Sequence, residues 1–226
     1  QSMVGNSVNQ GRLLLSRAYN LAGTDFLFST KNPSFEFHKM PEQYPVGVHF
    51  TPPPLPPQEA TAGWKINHLM IRITDPEASL RFYNECFGLH TIFIFNTGAW
   101  TIYYLGPRDS SLATLGTSKG LIELYHLPGG PDRYRNGNEE GGMQGGFGHI
   151  GFTVPDVEKA LERVKSFGYE VIKPLGESKP EQYGVPDFLP LDKVDQGYQH
   201  VFKQLAFVKD PDGYWVELVP EVVKAP

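Results

Sequence analysis

The sequence is nearly free of cysteine, because Cys86 is the only one among 226 residues. An intrachain disulfide and a cysteine-based zinc cluster are therefore excluded, and a reducing compartment such as the cytoplasm is expected. Basic charge is scarce as well: 20 Lys and Arg against 25 Asp and Glu give a net charge of −5, which argues against a general nucleic-acid-binding protein. No apolar run approaches the ~20 residues of a membrane span. We therefore expect neither nucleic acid nor membrane as a partner.

Residues 1–63 are interpreted as an N-terminal arm. Gln1 and Ser2, before Met3, resemble the remnant of an expression tag. Residues 12–17 combine three leucines with two arginines in a short amphipathic pattern, which leaves mitochondrial import as an alternative to the cytoplasm. Residues 52–57 are Pro-rich and predicted to be extended. They are either a ligand for a proline-binding domain or, as we favour, part of an arm that wraps the globular body.

The rest of the chain contains an internal repeat. Residues 66–75 match residues 147–156 at an offset of 81, so that His68 corresponds to His149. Both stretches alternate in polarity like half-buried strands. The hydrophobic content of 40%, with 13% aromatic residues, supplies enough apolar surface for a packed core. The repeat therefore predicts two copies of one structural module.

Each copy continues with signals for a helix and for three further strands. Asp75 and Asp156 are placed as helix N-caps, and Gly88 and Gly168 follow the predicted helix ends. The predicted strands are Thr91–Phe95, Thr101–Leu105 and Leu121–Tyr125 in the first copy, and Glu170–Ile172, Leu205–Val208 and Tyr214–Val219 in the second.

The predicted fold is α+β, with tandem β-α-β-β-β modules whose curved mixed sheets surround a metal site. The predicted boundaries are an arm with a Pro-rich linker at 1–63, a first module at 64–130, a Gly-rich connection at 131–146, a second module at 147–220 with a long insertion at 175–204, and a tail at 221–226.

The repeat supplies one histidine on the first strand and one glutamate on the last strand of each copy: His68 and Glu123, then His149 and Glu217. A single His or Glu on a strand is more often a surface or hydrogen-bonded residue than a metal ligand. Here both glutamates lie within apolar strand sequence, where an unpaired carboxylate is costly. Imidazole and carboxylate ligands suit zinc, nickel, cobalt, iron or manganese. The pattern therefore favours a divalent metal site.

The motifs around these residues resemble glyoxalase I (lactoylglutathione lyase), a family of the vicinal oxygen chelate superfamily. The resemblance covers about residues 64–220. It is carried by Gly-Phe-Gly-His-Ile-Gly at 146–151 with Val-Pro-Asp at 154–156, by Asp-Pro-Asp-Gly-Tyr-Trp-Val-Glu at 210–217, by Tyr134 with Asn-Gly-Asn at 136–138, and by Asp-Pro at 75–76 with the helix that follows.

The resemblance implies a metal-dependent isomerase or lyase. It places the four metal ligands on His68, Glu123, His149 and Glu217, with one divalent ion per site, zinc first and nickel or cobalt as alternatives. Many eukaryotic members have Gln at the first position, whereas His is found in bacterial members. Glu217 is implied as the base that moves a proton through an enediolate, with Glu123 on the other face. The implied substrate is the glutathione hemithioacetal of methylglyoxal, and the implied assembly is a homodimer with sites between subunits.

The glutathione site resembles the family less closely. Arg72 and Lys203 match residues that the family uses to bind glutathione, but Leu127, Gly145 and Val201 stand where the family has Asn, Arg and Lys. Two alternatives therefore stay open: a glutathione-independent isomerase or ring-opening enzyme of a specialised pathway, and a binding protein without catalysis. The segment 175–204 is longer than the usual connection, and it is either a surface excursion or a lid for a bulkier, less polar substrate.

Overall fold

The computed structural model of the protein describes residues 44–225, except for residues 53, 55, 136 and 139–145. The interpretations of residues 1–3, of the amphipathic stretch at 12–17 and of half of the Gly-rich connection at 131–146 lie outside the described residues. The described part belongs to one compact unit, Tyr44–Pro226. Within it, no helix has the length and apolarity that crossing a membrane requires.

The first module forms a four-stranded mixed sheet. Its strands are β1 (His68–Ile73), β2 (His90–Asn96), β3 (Thr101–Gly106) and β4 (Leu121–His126). Their order across the sheet is β1-β4-β3-β2, with β1 parallel to β4 and the other pairs antiparallel. The first and last strands of the module are therefore neighbours.

The second module repeats this topology. Its strands are β5 (His149–Val154), β6 (Val171–Lys173), β7 (Ala206–Lys209) and β8 (Trp215–Pro220). Their order is β5-β8-β7-β6, again with the first and last strands parallel. The fold class predicted from the repeat, α+β with tandem mixed sheets, is confirmed. The ends of the six strands predicted after the helices differ from the observed ones by at most one residue.

One helix follows the first strand of each module. Helix α1 (Pro76–Leu80) begins at Asp75, whose carboxylate accepts from two backbone amides, and it continues as a π-helix over Arg81–Cys86 that the sequence pattern did not predict. Helix α2 (Val157–Ser166) begins at Asp156, whose carboxylate accepts from the amide of the third helical residue. A side-chain oxygen at the N-cap satisfies an amide that has no partner within the helix.

The helices and one face of each sheet share a single hydrophobic core. Ile73, Phe82 and Leu124 of the first module lie in the same buried cluster as Val164 and Leu218 of the second. Because side chains alternate along a strand, burial of this face leaves the opposite face of each sheet outside the core. Those opposite faces carry the histidines and glutamates singled out by the repeat.

A buried polar network joins the two modules at the turn between β7 and β8. The carboxylate of Asp212 accepts from the amide and hydroxyl of Thr74, at 2.8 and 2.7 Å, and from the hydroxyl of Ser79 at 3.3 Å. Asp210 accepts from the hydroxyl of Tyr83 at 2.8 Å. Burial raises the pKa of Asp210 to about 7. These contacts tie the start of α1 to the second module.

The insertion between β6 and β7 contains helix α3 (Gln196–Phe202) and two short 3-10 helices, at Pro180–Gln182 and Leu191–Lys193. Sequence reasoning did not predict α3. Its anchor is Lys173 on β6, which is fully buried and donates from Nζ to the carbonyl oxygens of Phe202, at 2.5 Å, and Leu205. The Lys173 ammonium also lies 4.6 Å from the centre of the Phe202 ring. The end of α3 is thereby fixed to the second sheet.

Candidate metal centre

The first histidine and glutamate meet on the open face of the first sheet. Glu123 on β4 pairs in register with Met70 on β1, and His68 lies two residues before Met70, on the same face. The Nε2 atom of His68 is 3.4 Å from Oε2 of Glu123. The imidazole is 37% exposed and the carboxylate 15% exposed. The pair is therefore accessible from solvent through the histidine.

The second histidine and glutamate repeat this arrangement. Glu217 on β8 pairs with Gly151 on β5, and His149 lies two residues before Gly151. The Nε2 atom of His149 is 3.4 Å from Oε2 of Glu217, with the imidazole 43% and the carboxylate 18% exposed. A Cβ on Gly151 would lie 3.6 Å from Oε2 of Glu217. Gly151 thus lies directly beside the carboxylate, where a Cβ would make an ordinary van der Waals contact.

The ring nitrogens of His68 are distinguished by Asn67. Oδ1 of Asn67 is 2.9 Å from Nδ1 of His68 and also accepts from the hydroxyl of Tyr104 at 3.0 Å, while Nδ2 of Asn67 donates to the carbonyl of Leu115 at 2.8 Å. Because Oδ1 is only an acceptor, Nδ1 is the donor of this bond, and Nε2 is the ring nitrogen that faces Glu123. This tautomer is the one that a metal ligand requires.

An aromatic ring packs against each imidazole at equivalent positions. Tyr104 pairs with Glu123 across the first sheet and Phe207 pairs with Glu217 across the second. Both rings meet their histidine edge-on, with 5.3 Å between ring centres. Burial, followed by the nearby Glu123 carboxylate, raises the pKa of Tyr104. Each histidine is thus held between a carboxylate and an aromatic ring.

Each pair offers two donor types that bind borderline divalent metals, an imidazole nitrogen and a carboxylate oxygen. Among the described residues of the chain, no group of three or more His, Cys, Asp or Glu side chains is close enough to hold a metal ion. The structure therefore brings the four predicted ligands together as two separate pairs. The donor chemistry of each pair fits half of a four-ligand site.

The predicted substrate-binding residues lie apart from one another. Arg72 is exposed on β1, on the face that carries His68. Lys203 is exposed at the C-terminal end of α3, in the insertion of the second module. Leu127 follows β4 and is partly buried, Val201 lies on α3, and Gly145 is outside the described residues. Arg72 and Lys203 thus belong to different modules.

Sequence reasoning missed four residues around the two pairs: Asn67, Tyr104, Phe207 and Trp215. Trp215 pairs in register with His149, and its ring centre is 5.8 Å from that of Phe207. The signal for Asn67 was its position directly before a proposed ligand, because ligating histidines usually donate their second N–H to a nearby acceptor. The signal for the other three was strand alternation, which places them on the histidine faces.

Paired β-α-β-β-β modules with this strand order define a protein of the vicinal oxygen chelate fold. Comparison with known families narrows this class. Residues 65–218 match the glyoxalase/bleomycin resistance protein/dioxygenase superfamily, and the chain belongs to that superfamily.

Individual relatives point to one branch of it. The chain is 32% identical over 178 residues to a lactoylglutathione lyase of Pseudomonas aeruginosa, covering 72% of this chain and 86% of the relative. It is 31% identical to a glyoxalase I of Saccharomyces cerevisiae, covering 68% of this chain and 44% of the yeast protein, so it spans less than half of that relative. A glyoxalase I structure from Zea mays is similar at a TM-score of 0.49 and 26% identity, covering 72% of this chain and 45% of that one. The protein is a lactoylglutathione lyase-like enzyme.

Proposed function

We propose that the protein converts the glutathione hemithioacetal of methylglyoxal into a hydroxyacyl thioester. The observation that carries this proposal is the pair of equivalent His–Glu sites, each with 3.4 Å between Nε2 and Oε2, on the open faces of two equivalent sheets. Membership of the superfamily and the lactoylglutathione lyase relatives support the same reaction. The reaction moves a proton between adjacent carbons and needs no external oxidant.

We further propose that a complete site forms between two copies of the chain. The described residues of one chain bring the ligands together only as pairs. A two-fold dimer that joins the His68–Glu123 pair of one copy to the His149–Glu217 pair of the other creates two identical four-ligand sites. Two imidazoles and two carboxylates suit zinc first, with nickel and cobalt as alternatives.

Glu217 is the base of the proposed reaction. Its carboxylate is largely buried and lies beside the exposed imidazole of His149. It removes the proton from the carbon that carries the sulfur and returns it to the neighbouring carbon. A divalent ion, when bound, supplies Lewis acidity that stabilises negative charge on the substrate oxygens. Glu123 occupies the equivalent position in the other module and faces the substrate from the opposite side.

A specific observation supports a second candidate function. Two positions where the family binds glutathione through polar side chains carry apolar residues here, Leu127 and Val201. A charge-assisted contact of this kind is worth about 1.5–3 kcal/mol, so the loss of several weakens glutathione binding strongly. The alternative is a glutathione-independent isomerase or ring-opening enzyme with the same metal and base. A binding protein without catalysis is the third possibility.

Two inactivating variants test the reaction and the assembly together. Glu123→Gln and Glu217→Gln are first produced singly, and the two variants are then co-expressed with different tags to give mixed dimers. Each zinc-loaded preparation is assayed with methylglyoxal and glutathione. Each variant alone is expected to lose at least ~100-fold in kcat, because general acid–base groups contribute about that much. In a mixed dimer one site combines both substitutions and the other has none. Random mixing should therefore restore about a quarter of wild-type activity.

The possible results separate the alternatives. If wild type is active but the co-expressed variants regain no activity, all four ligands belong to one chain, and this result contradicts a site shared between two copies. Full activity of Glu217→Gln contradicts the assignment of Glu217 as the base. A folded, zinc-loaded wild type that turns over no glutathione adduct contradicts the glyoxalase reaction and directs the search to substrates without glutathione.

A further inference from the structure

We propose that the insertion at 175–204 forms a pocket beside the His149–Glu217 pair that takes an uncharged aryl or branched alkyl substituent of the substrate. The pocket then selects adducts of bulky 2-oxoaldehydes over the adduct of methylglyoxal. This inference rests on the proposed function, because it names the substrate substituent that the same site prefers.

The pocket is a cavity of about 560 Å³ between the insertion and the beginning of β8. Trp215 forms one wall, and Val185 and Leu191 of the insertion form another. Trp215 is the register partner of His149 and lies two residues before Glu217, on the same face of the sheet. The wall formed by Trp215 therefore belongs to the residue that neighbours His149 across the sheet. The volume of the cavity is in the range of small-molecule sites, far larger than a methyl group.

The close approach of the insertion to Trp215 depends on a glycine. Gly184 has a φ of +66°, a left-handed conformation that favours glycine. A Cβ on Gly184 would lie 3.1 Å from the Trp215 ring and 3.2 Å from Oδ1 of Asn138. The Asn138 amide donates to the carbonyl of Gly148, directly before His149. The wall of the pocket is thus packed onto the strand that carries the metal ligand.

A continuous series of aromatic ring contacts runs from His149 to the insertion. Phe207 lies 5.3 Å from the ring centre of His149 and 5.7 Å from that of Phe202, and Phe202 lies 5.1 Å from Tyr183. Burial raises the pKa of Tyr198 on α3, with smaller contributions from Tyr183 and Glu217. The ring contacts hold α3 against the sheet face that carries His149.

The charges around the cavity exclude an anionic occupant. Glu181 and Asp187 are its charged lining residues, and within the described part of the chain no lysine or arginine lines it. The carboxylates of glutathione would be repelled here, whereas a neutral hydrocarbon substituent would not. The cavity therefore suits the carbon side of a hemithioacetal and not its peptide side.

The test compares kcat/KM for the glutathione hemithioacetals of phenylglyoxal and methylglyoxal in the zinc-loaded full chain. Val185→Trp fills the cavity, and Leu191→Ala enlarges it. Leu112→Trp places the same new ring on an exposed loop of the first module as a control. We expect wild type to favour the phenyl adduct at least ~10-fold, since misfit in an apolar pocket costs about 10–200-fold. Val185→Trp should lower that ratio at least ~10-fold, Leu191→Ala should lower it less, and Leu112→Trp should leave it unchanged.

A wild-type ratio near one, or an equal loss for both adducts in Val185→Trp, would overturn the pocket. If wild type turns over neither adduct, the proposed function fails, and binding then tests the pocket alone. Saturation-transfer NMR with 2-hydroxyacetophenone, compared with hydroxyacetone, is the readout. Preferential contact of the aryl ketone that Val185→Trp abolishes would support the pocket. Equal contact, or contact that survives the substitution, would overturn it.

Discussion

Asn67 gives His68 a defined chemical state. Its Oδ1 accepts from Nδ1 of His68 and from the hydroxyl of Tyr104, and its amide group is oriented by the bond to Leu115. The placement of Nε2 towards Glu123 therefore does not depend on the presence of a metal. A preset tautomer saves the cost of reorganisation when the metal binds.

Removal of this acceptor should weaken metal binding. In Asn67→Ala, we expect zinc affinity to fall about 10–100-fold, as is typical when the partner of a ligating histidine is lost. Asn67→Asp retains an acceptor oxygen and should lose much less. Calorimetric titration of metal-free protein measures both. Equal affinities for Asn67→Ala and wild type would show that His68 is not a ligand held in this way.

The repeat predicted the positions of the histidines and glutamates but not of Asn67. The residue at the equivalent position in the second module is Gly148, which has no side chain. Comparison of the two modules therefore reveals residues that both contain, and it does not reveal a residue such as Asn67 that only one of them has. The same holds for the hydroxyl of Tyr104, whose counterpart is Phe207.

At the scale of secondary structure, α3 is the element that distinguishes the second module from the first. It is short, and its C-terminal end is anchored by Lys173 through two backbone carbonyls. Burial lowers the pKa of Lys173 to about 8, with the carboxylates of Glu177 and Glu217 opposing this shift. The carbonyl bonds and the Phe202 ring compensate for part of the lost hydration.

Loss of the Lys173 ammonium should loosen the end of α3. In Lys173→Met, the carbonyls of Phe202 and Leu205 lose their partner, and each unpaired buried group costs about 1–3 kcal/mol. We expect amide hydrogen exchange at Lys203, Gln204 and Leu205 to accelerate at least ~10-fold.

Lys209→Met is the matched control. Lys209 lies on β7 and makes an exposed ion pair with Glu170, a type of contact that contributes about 0–1 kcal/mol. Exchange at the same three amides should change little in this variant. Unchanged exchange in Lys173→Met would contradict the role of the buried ammonium.

Most elements could be predicted from the sequence, and α3 could not. Strand alternation and the two Asp N-caps are local signals, and they fixed the β-α-β-β-β order. In α3, Gly197 and β-branched Val201 are weak helix formers. The helix depends on its cap at Asp195 and on contacts of Phe202 with the sheet. Contacts of this kind are not visible in a sequence pattern.

At the scale of the whole molecule, the turn between β7 and β8 connects the modules through Asp210 and Asp212. The pKa of Asp210 is raised from 3.8 to about 7, mainly by burial. The folded chain therefore holds the proton of this group more tightly than the unfolded chain does. The resulting stabilisation is complete below about pH 4 and is lost as the pH rises through 7.

Asp210→Asn should remove this dependence on pH. The unfolding free energy of wild type, minus that of the variant, should fall by up to ~4 kcal/mol between pH 4 and pH 7, at about 1.4 kcal/mol per pKa unit. Urea denaturation of metal-free protein across this range measures the difference. Asp109→Asn controls for the loss of one exposed carboxylate. A constant difference across the range would contradict the raised pKa.

The association of the two His–Glu pairs lies beyond what the sequence predicts. The repeat indicates four matching ligands, but the described chain holds them as two pairs, on separate sheets. Whether they meet depends on how copies of the chain assemble. That assembly is governed by surface complementarity, and strand alternation carries no information about it.

The parallel pairing of first and last strands sets the order in which these pairs can form. His68 sits beside β4 and His149 beside β8, so each histidine meets its glutamate only across the full length of its module. Contacts between such distant residues slow folding, because a long loop must close first. During synthesis, His149 emerges long before Glu217. The second half-site is consequently completed only when the last strand of its module is made, and a nascent chain that ends before β8 has only the first half-site.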